Sequence, residues 1–178
     1  MTRDEMILHP QETGPVRILG PVDVESLVES LKDYITKQIS DREQIPLRRP
    51  DDWDGTGELR DSGRPLNLEL LMSFKNWVPG TELLQKVATD FGVKEYGRVR
   101  MLILGPRTNY SFHHDPDAWR LHIPLITNEN AFMIVHGKLW HLPVGNAYLV
   151  KVKDHHCAMN AGNEDRIHIV FDWCDNLA

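Results

Sequence analysis

The chain is predicted to fold as a mainly β domain with N-terminal helices, its strands closed into a sandwich or barrel. Three observations predict this. From Tyr96 onward, apolar residues recur at every second position in short runs. Gly, Pro and Asn punctuate those runs at short, regular intervals. Before that point the periodicity is three-and-four, in two stretches. A chain of 178 residues with no internal repeat or composition break is read as one domain, 1–178, with room for a hydrophobic core. Residues 1–95 are expected to give helical and loop support, and 96–174 the β core.

The elements follow in order. "VRILG" (Val16 to Gly20) reads as a short edge strand. Asp23 to Ile39 reads as a helix, because Val24, Leu27, Val28, Leu31, Tyr34 and Ile35 share one face and Asp23 suits the N-cap. The polar, Gly- and Pro-rich stretch Arg48 to Asn67 reads as a long loop with a short hairpin. Its Arg48, Arg49, Arg60 and Arg64 are read first as solvated surface and only second as contacts for a carboxylate-bearing substrate, and its Trp53 as a partly buried structural residue or a cover of the pocket. Gly80 to Gly92 is a second helix, capped by Gly80 or Thr81 and stopped by Gly92. Strands are expected at "RVRMLILG", "WRLHIPLIT", "AFMIVHG", "KLWHLPVG", "NAYLVKV" and "RIHIVFDW".

The formal charge of −6 disfavours a nucleic-acid partner, because phosphate binding needs a basic face. No apolar run is long enough to cross a bilayer. The N-terminal "MTRDEMILHPQETG" is charged and lacks an apolar signal region, so a cytoplasmic location is expected. There Cys157 and Cys174 would be reduced, and Cys157, beside His156, adds a thiolate to the possible metal donors.

Two strands carry the same odd pattern. Arg120 and His122 alternate with Trp119, Leu121 and Ile123, while Arg166 and His168 alternate with Ile167, Ile169, Phe171 and Trp173. A strand sends alternate residues to opposite faces. Either the cationic face meets water, or the apolar face packs under the N-terminal helices and the cationic face lines a pocket for an anion. The repetition of Arg-x-His favours the pocket.

The stretch "FHHDPDAWRLHIPL" concentrates ionisable side chains. His113 and Asp115, two apart, project to one side of a strand and reach one ion. With His156 from "VKDHHCAMNAG" they make two imidazoles and a carboxylate, the ligand set of non-haem Fe(II) oxygenases. His114 with Asp117 is a competing pair, and His155 competes with His156. Arg166, ten positions after His156, suits bidentate pairing with a dicarboxylate whose other end chelates the metal.

From about Arg98 to Trp173 the chain resembles the aspartyl/asparaginyl β-hydroxylase family, which includes bacterial free-proline hydroxylases. The resemblance is carried by "GPRTNYSFHHD", "WRLHIPLITN", "HGKLWHLPVGNAYLV" and "HHCAMNAGNEDRIHIVFDW". It implies a double-stranded β-helix, a jelly roll related to the cupins, using Fe(II), 2-oxoglutarate and O2. It implies His113, Asp115 and His156 as metal ligands and catalytic residues. It places Arg166 on the distal carboxylate of 2-oxoglutarate, His122 as a second cosubstrate contact and Arg120 toward the substrate, an amino acid that is free or within a peptide. The related halogenases lack a ligand carboxylate, so Asp115 points to hydroxylation. The loop "LPVGNAYLVKVKDHH" departs from the usual family text. The alternative is a non-oxidative cupin-like metal-binding protein or small-ligand sensor, which would bind metal without consuming 2-oxoglutarate.

Overall fold

A computed structural model describes residues 6–25, 27–31, 78–93, 99–115, 118–172 and 177, together with the backbone of 44–50 and 68–70. Two sheets face each other. The larger has seven strands in the order β2 (Val16–Pro21), β10 (Asn146–Lys151), β7 (Trp119–Ile126), β12 (Arg166–Phe171), β5 (Val99–Leu104), β3 (Gln44–Pro50) and β4 (Leu68–Leu70). The smaller has five, in the order β1 (Ile7–Leu8), β9 (Lys138–Trp140), β8 (Ala131–Val135), β11 (His156–Asn160) and β6 (Thr108–Asn109). All pairings are antiparallel except β1 with β9. Crossovers between two antiparallel sheets are the pattern of a double-stranded β-helix, or jelly roll.

The Arg-x-His strands β7 and β12 lie side by side in the middle of the larger sheet, with Ile169 opposite Ile123 and Phe171 opposite Leu121. Every residue of β12 is buried, and every residue of β7 but the last. One face carries Leu121, Ile123, Leu125, Ile167, Ile169 and Phe171. It forms a single cluster with Val24, Leu27 and Leu31 of the first helical segment and Leu83, Leu84 and Val87 of helix α1 (Val78–Asp90). Each such side chain, fully buried, is worth about 1.5–3 kcal/mol relative to exposure. Between the sheets, Leu104, Tyr148 and Val150 meet Met133, Val135 and Trp140. The cationic face of β7 and β12 therefore points into the barrel and not into water.

The first helical segment, residues 25 and 27–31, starts where expected. The Asp23 Oδ1 accepts the Glu25 N–H at 3.1 Å, an N-cap bond. Its continuation toward Ile39 lies outside the described residues. Helix α1 starts two residues before Gly80, and the Thr81 hydroxyl donates to the Val78 carbonyl from inside the helix, so neither Gly80 nor Thr81 is the cap. Gly92 stops it with φ +63, and the Val93 N–H reaches back to the Ala88 carbonyl at 2.9 Å, a left-handed C-terminal cap.

Three features differ from the sequence reading. Residues 1–95 supply β1, β3 and β4 besides the expected strand β2. Residues 44–50 pair with β5 and β4, so strand occupies the start of the expected loop, whose middle, with Trp53, Arg60 and Arg64, lies outside the described residues. The segment His156–Asn160, absent from the expected strands, is strand β11, paired along its length with β8. Asn160 looked like turn punctuation, yet it is fully buried. Its amide donates to the carbonyls of Leu104, Gly105 and Glu164. This knot fixes the entry to β12, and Gly162 is required in it, because a Cβ there would stand 2.7 Å from the Asn128 Cγ.

Candidate metal centre and anion pocket

His113 and His156 come from separate segments joined by a β-bridge. The His113 N–H donates to the His156 carbonyl at 3.0 Å, and the His156 N–H returns to the His113 carbonyl at 2.9 Å. Their rings lie 4.4 Å apart. Asp115 is placed by its own N–H, which donates to the Val152 carbonyl at 3.0 Å. Backbone pairing thus brings one ligand atom from each of His113, Asp115 and His156 within 4.8 Å of one another.

Hydrogen bonds orient both rings for a cation. The Nδ1 of His113 lies 2.7 Å from the Ser111 carbonyl and that of His156 3.0 Å from the Asp154 carbonyl. A carbonyl only accepts, so each Nδ1 donates and each Nε2 is turned toward the cluster, the atom that would meet a cation. Three nitrogens converge on Asp115 Oδ2: Arg120 NH1 at 2.7 Å, His156 Nε2 at 3.2 Å and His113 Nε2 at 3.7 Å. These are ion-pair distances without hydrogen-bond alignment, and Oδ2 is buried with no well-directed donor. Burial pushes the Asp115 carboxyl up, but the contact with His156 and the charge of Arg120 outweigh it and bring it down to about 2. Two imidazoles with Nε2 turned to the cluster and one ionised carboxylate are a donor set that fits Fe(II).

This geometry has a pH consequence. The folded value of about 2 lies below the ordinary 3.8, so the ionised carboxylate stabilises the fold above about pH 4. That contribution, roughly 2 kcal/mol, is lost as pH falls through the folded value. Denaturant unfolding of metal-free wild type and Asp115→Asn is expected to show a stability gap that is constant above pH 4 and closes toward pH 2.

The competing donors lie elsewhere. His114 and His155 are exposed and pack edge-on against each other at 5.5 Å, on the side of their segments opposite to the cluster. Asp117 lies outside the described residues. Cys157 follows His156 on β11, so the strand alternation turns it away; its buried thiol is pushed up by desolvation.

A second polar group lies deeper. Arg120 contacts Asp115 through NH1, and its Nε lies 2.9 Å from Asp172 Oδ1, which Arg100 NH2 also contacts at 2.8 Å. Asp172 is fully buried. This chain of alternating charges holds the Asp115 carboxylate from behind, the kind of support a candidate metal ligand would need. The sequence reading missed Arg100 and Asp172; the available signal was that both continue the inward phase of strands whose alternate residues are core.

Beyond it stand His122, His168 and Arg166, with 3%, 0% and 2% of their surface exposed. The Arg166 NH2 lies 3.1 Å from His168 Nδ1, and the His122 and His168 rings meet edge-on at 5.8 Å. Burial, then the nearby Arg166 charge, holds both imidazoles well below the ordinary range, so they are neutral. Burial lowers Arg166 to about 10, which leaves it charged at neutral pH. Among the described residues no carboxylate pairs with it. The arrangement is a buried cation flanked by neutral imidazoles, a pocket that takes an anion.

Comparison with known proteins agrees with this geometry. The sequence pattern described as Aspartyl/Asparaginyl beta-hydroxylase matches residues 30–175. Among solved structures, the fold is similar to an oxidoreductase of the 2OG-Fe(II) oxygenase family from Burkholderia pseudomallei, at 13% identity and TM-score 0.61, covering 93% of this chain and 92% of that one. It is also similar to AviO1 from Streptomyces viridochromogenes Tue57, at 14% identity and TM-score 0.53, covering 88% of each chain. At such identities the likeness is one of fold. No curated protein sequence matches the chain. Among the described residues, no helix is long and apolar enough to cross a membrane.

Proposed function

This chain belongs to the aspartyl/asparaginyl β-hydroxylase family, and on that premise we propose that it is an Fe(II)- and 2-oxoglutarate-dependent dioxygenase that hydroxylates an amino acid, free or within a peptide. One observation carries the reading: a two-histidine, one-carboxylate cluster and a buried arginine with no carboxylate partner among the described residues share one barrel interior.

His113, Asp115 and His156 would hold the iron. When bound, Fe(II) supplies the activation of dioxygen that couples decarboxylation of 2-oxoglutarate to hydroxylation of a C–H bond. The protein's residues bind, orient and exclude water. Asp115 stays ionised at working pH and offsets the cation's charge. The Nδ1–H bonds of His113 and His156 to carbonyls keep both Nε2 atoms aimed at the cluster. Asp172, through Arg120, fixes the carboxylate ligand. Arg166 receives the distal carboxylate of 2-oxoglutarate by a two-pronged hydrogen bond, with His122 beside it. Arg120, next to the carboxylate ligand, is assigned to the substrate side of the cluster.

The test is turnover. Protein with Fe(II) and 2-oxoglutarate is offered pools of amino acids and short peptides, and succinate is followed alongside a one-oxygen mass gain. The expected result is succinate formation coupled to one pool. Metal binding with no succinate from any pool would reject the proposal in favour of a non-oxidative cupin-like protein.

A further inference from the structure

The anion pocket contains one histidine with no part in the reading above. We propose that His168 is a ligand-binding and positioning residue of the pocket: as a neutral imidazole it holds the Arg166 guanidinium through Nδ1 and presents Nε2–H to the anion. The identity of that anion as 2-oxoglutarate rests on the preceding section.

The tautomer follows from the partner. A guanidinium has only donors, so at 3.1 Å from Arg166 NH2 the Nδ1 of His168 accepts, and its proton sits on Nε2. That Nε2 is buried and has no hydrogen-bond partner among the described residues. Neither ring nitrogen of His122, whose ring is 5.8 Å away, has one either. Each unmet buried polar group costs about 1–3 kcal/mol. Two of them, His168 Nε2–H and the single N–H of His122, are donors beside one buried cation, and a ligand with acceptor oxygens would meet both, while the other His122 nitrogen accepts. Leucine would fill the same space with no unmet donor of its own, at the loss of the Nδ1 acceptor for Arg166.

The position supports the same role. Strand alternation turns residues 166, 168, 170 and 172 of this wall inward. Asp172 lies toward the metal cluster, through Arg120 and Asp115, and Arg166 at the other end of the strand. His168 stands between them. Its bond to NH2 draws the long arginine side chain along the strand toward the cluster. A neutral imidazole also leaves the guanidinium as the charge nearest the ligand's far end, which matches one carboxylate. A second cation there would repel Arg166, and a carboxylate would neutralise it.

The test uses His168→Leu, which removes both nitrogens, and His168→Asn, which keeps an acceptor near Nδ1 but no donor at Nε2. Three readouts are taken. The first is nitrogen NMR of His168 in the metal-free wild type, expected to show the Nε2–H neutral ring. The second is the unfolding temperature of the metal-free variants; His168→Leu is expected to melt within a few degrees of wild type, because relief of the unmet Nε2–H offsets loss of the Nδ1 bond to Arg166. The third is calorimetry with Mn(II), then 2-oxoglutarate. Mn(II) affinity is expected to be unchanged. The dissociation constant for 2-oxoglutarate is expected to rise about 10- to 100-fold in His168→Leu, the loss of one charge-assisted hydrogen bond, and less in His168→Asn.

Wild-type affinity for 2-oxoglutarate in His168→Leu would overturn the inference. So would a proton on Nδ1, or a variant that melts well below wild type yet binds the cosubstrate normally, which is the behaviour of a purely structural histidine. A wild-type protein that takes Mn(II) but no 2-oxoglutarate would instead reject the oxygenase reading. The tautomer and the melting of His168→Leu, both read without cosubstrate, then still decide whether His168 is an unmet donor facing a ligand.

Discussion

His156→Ala is expected to abolish metal binding at the cluster and with it all 2-oxoglutarate-dependent activity, while leaving the fold intact. The fold survives because the bridge between His113 and His156 is made by backbone groups in both directions and does not use the imidazole. The metal does not survive, because two ligands remain, and one of them, His113, has a side chain that is 41% exposed. Loss of a residue that merely supports a metal ligand weakens affinity 10- to 100-fold, so loss of a ligand is expected to exceed about 100-fold. Manganese titration followed by electron paramagnetic resonance measures this directly. His155→Ala is the matched control. Its exposed ring lies on the other side of the segment, and Mn(II) affinity is expected to stay at the wild-type value.

The second large effect belongs to Arg166. Arg166→Met keeps the length of the side chain and removes a charge that is almost fully buried. Removing a buried cation that has no carboxylate partner among the described residues relieves a desolvation cost, so the metal-free variant is expected to be at least as stable as wild type. The same change removes the counter-charge for a ligand carboxylate. With two charge-assisted hydrogen bonds lost, the KM for 2-oxoglutarate is expected to rise more than about 100-fold, with Mn(II) binding unchanged. The two variants therefore separate: His156→Ala loses both binding steps, Arg166→Met only the second. A variant with raised stability and lost cosubstrate binding is the signature of a functional residue held against the preference of the fold.

Much of this was legible in the sequence because the relevant residues sit on strands of unbroken alternation. Arg120, His122, Arg166 and His168 interrupt otherwise apolar strands at every second position, and both strands proved to be central and buried. His113 and Asp115 were legible by their spacing. The choice between His155 and His156 was not, because it depends on the phase of β11. The sequence "HCAMN" has neither clean alternation nor β-branched residues, and its strand character comes from pairing with β8. The charge chain from Arg100 through Asp172 and Arg120 to Asp115 was hidden for another reason. Arg100 and Asp172, read alone, are ordinary polar residues at the ends of β5 and β12. Their relation exists only across three paired segments distant in sequence. Strand β3 was missed because its end, "RRP", opens the stretch read as loop; Pro46 sits at a register shift in the pairing with β5 and Pro50 at the strand's end, positions where proline is tolerated.

The most direct test of the central claim is thermal unfolding of metal-stripped protein, with Mn(II) added first and 2-oxoglutarate second. Mn(II) replaces Fe(II) without turnover. A ligand that binds only the folded state at 100 times its dissociation constant stabilises by about 2.7 kcal/mol, which for a domain of this size is a rise of roughly 5–10 °C. The expected result is a rise with Mn(II) and a further rise with 2-oxoglutarate that needs the metal and disappears in Arg166→Met. A midpoint that moves with neither addition would contradict the metal centre itself. A rise with Mn(II) alone would contradict the cosubstrate pocket.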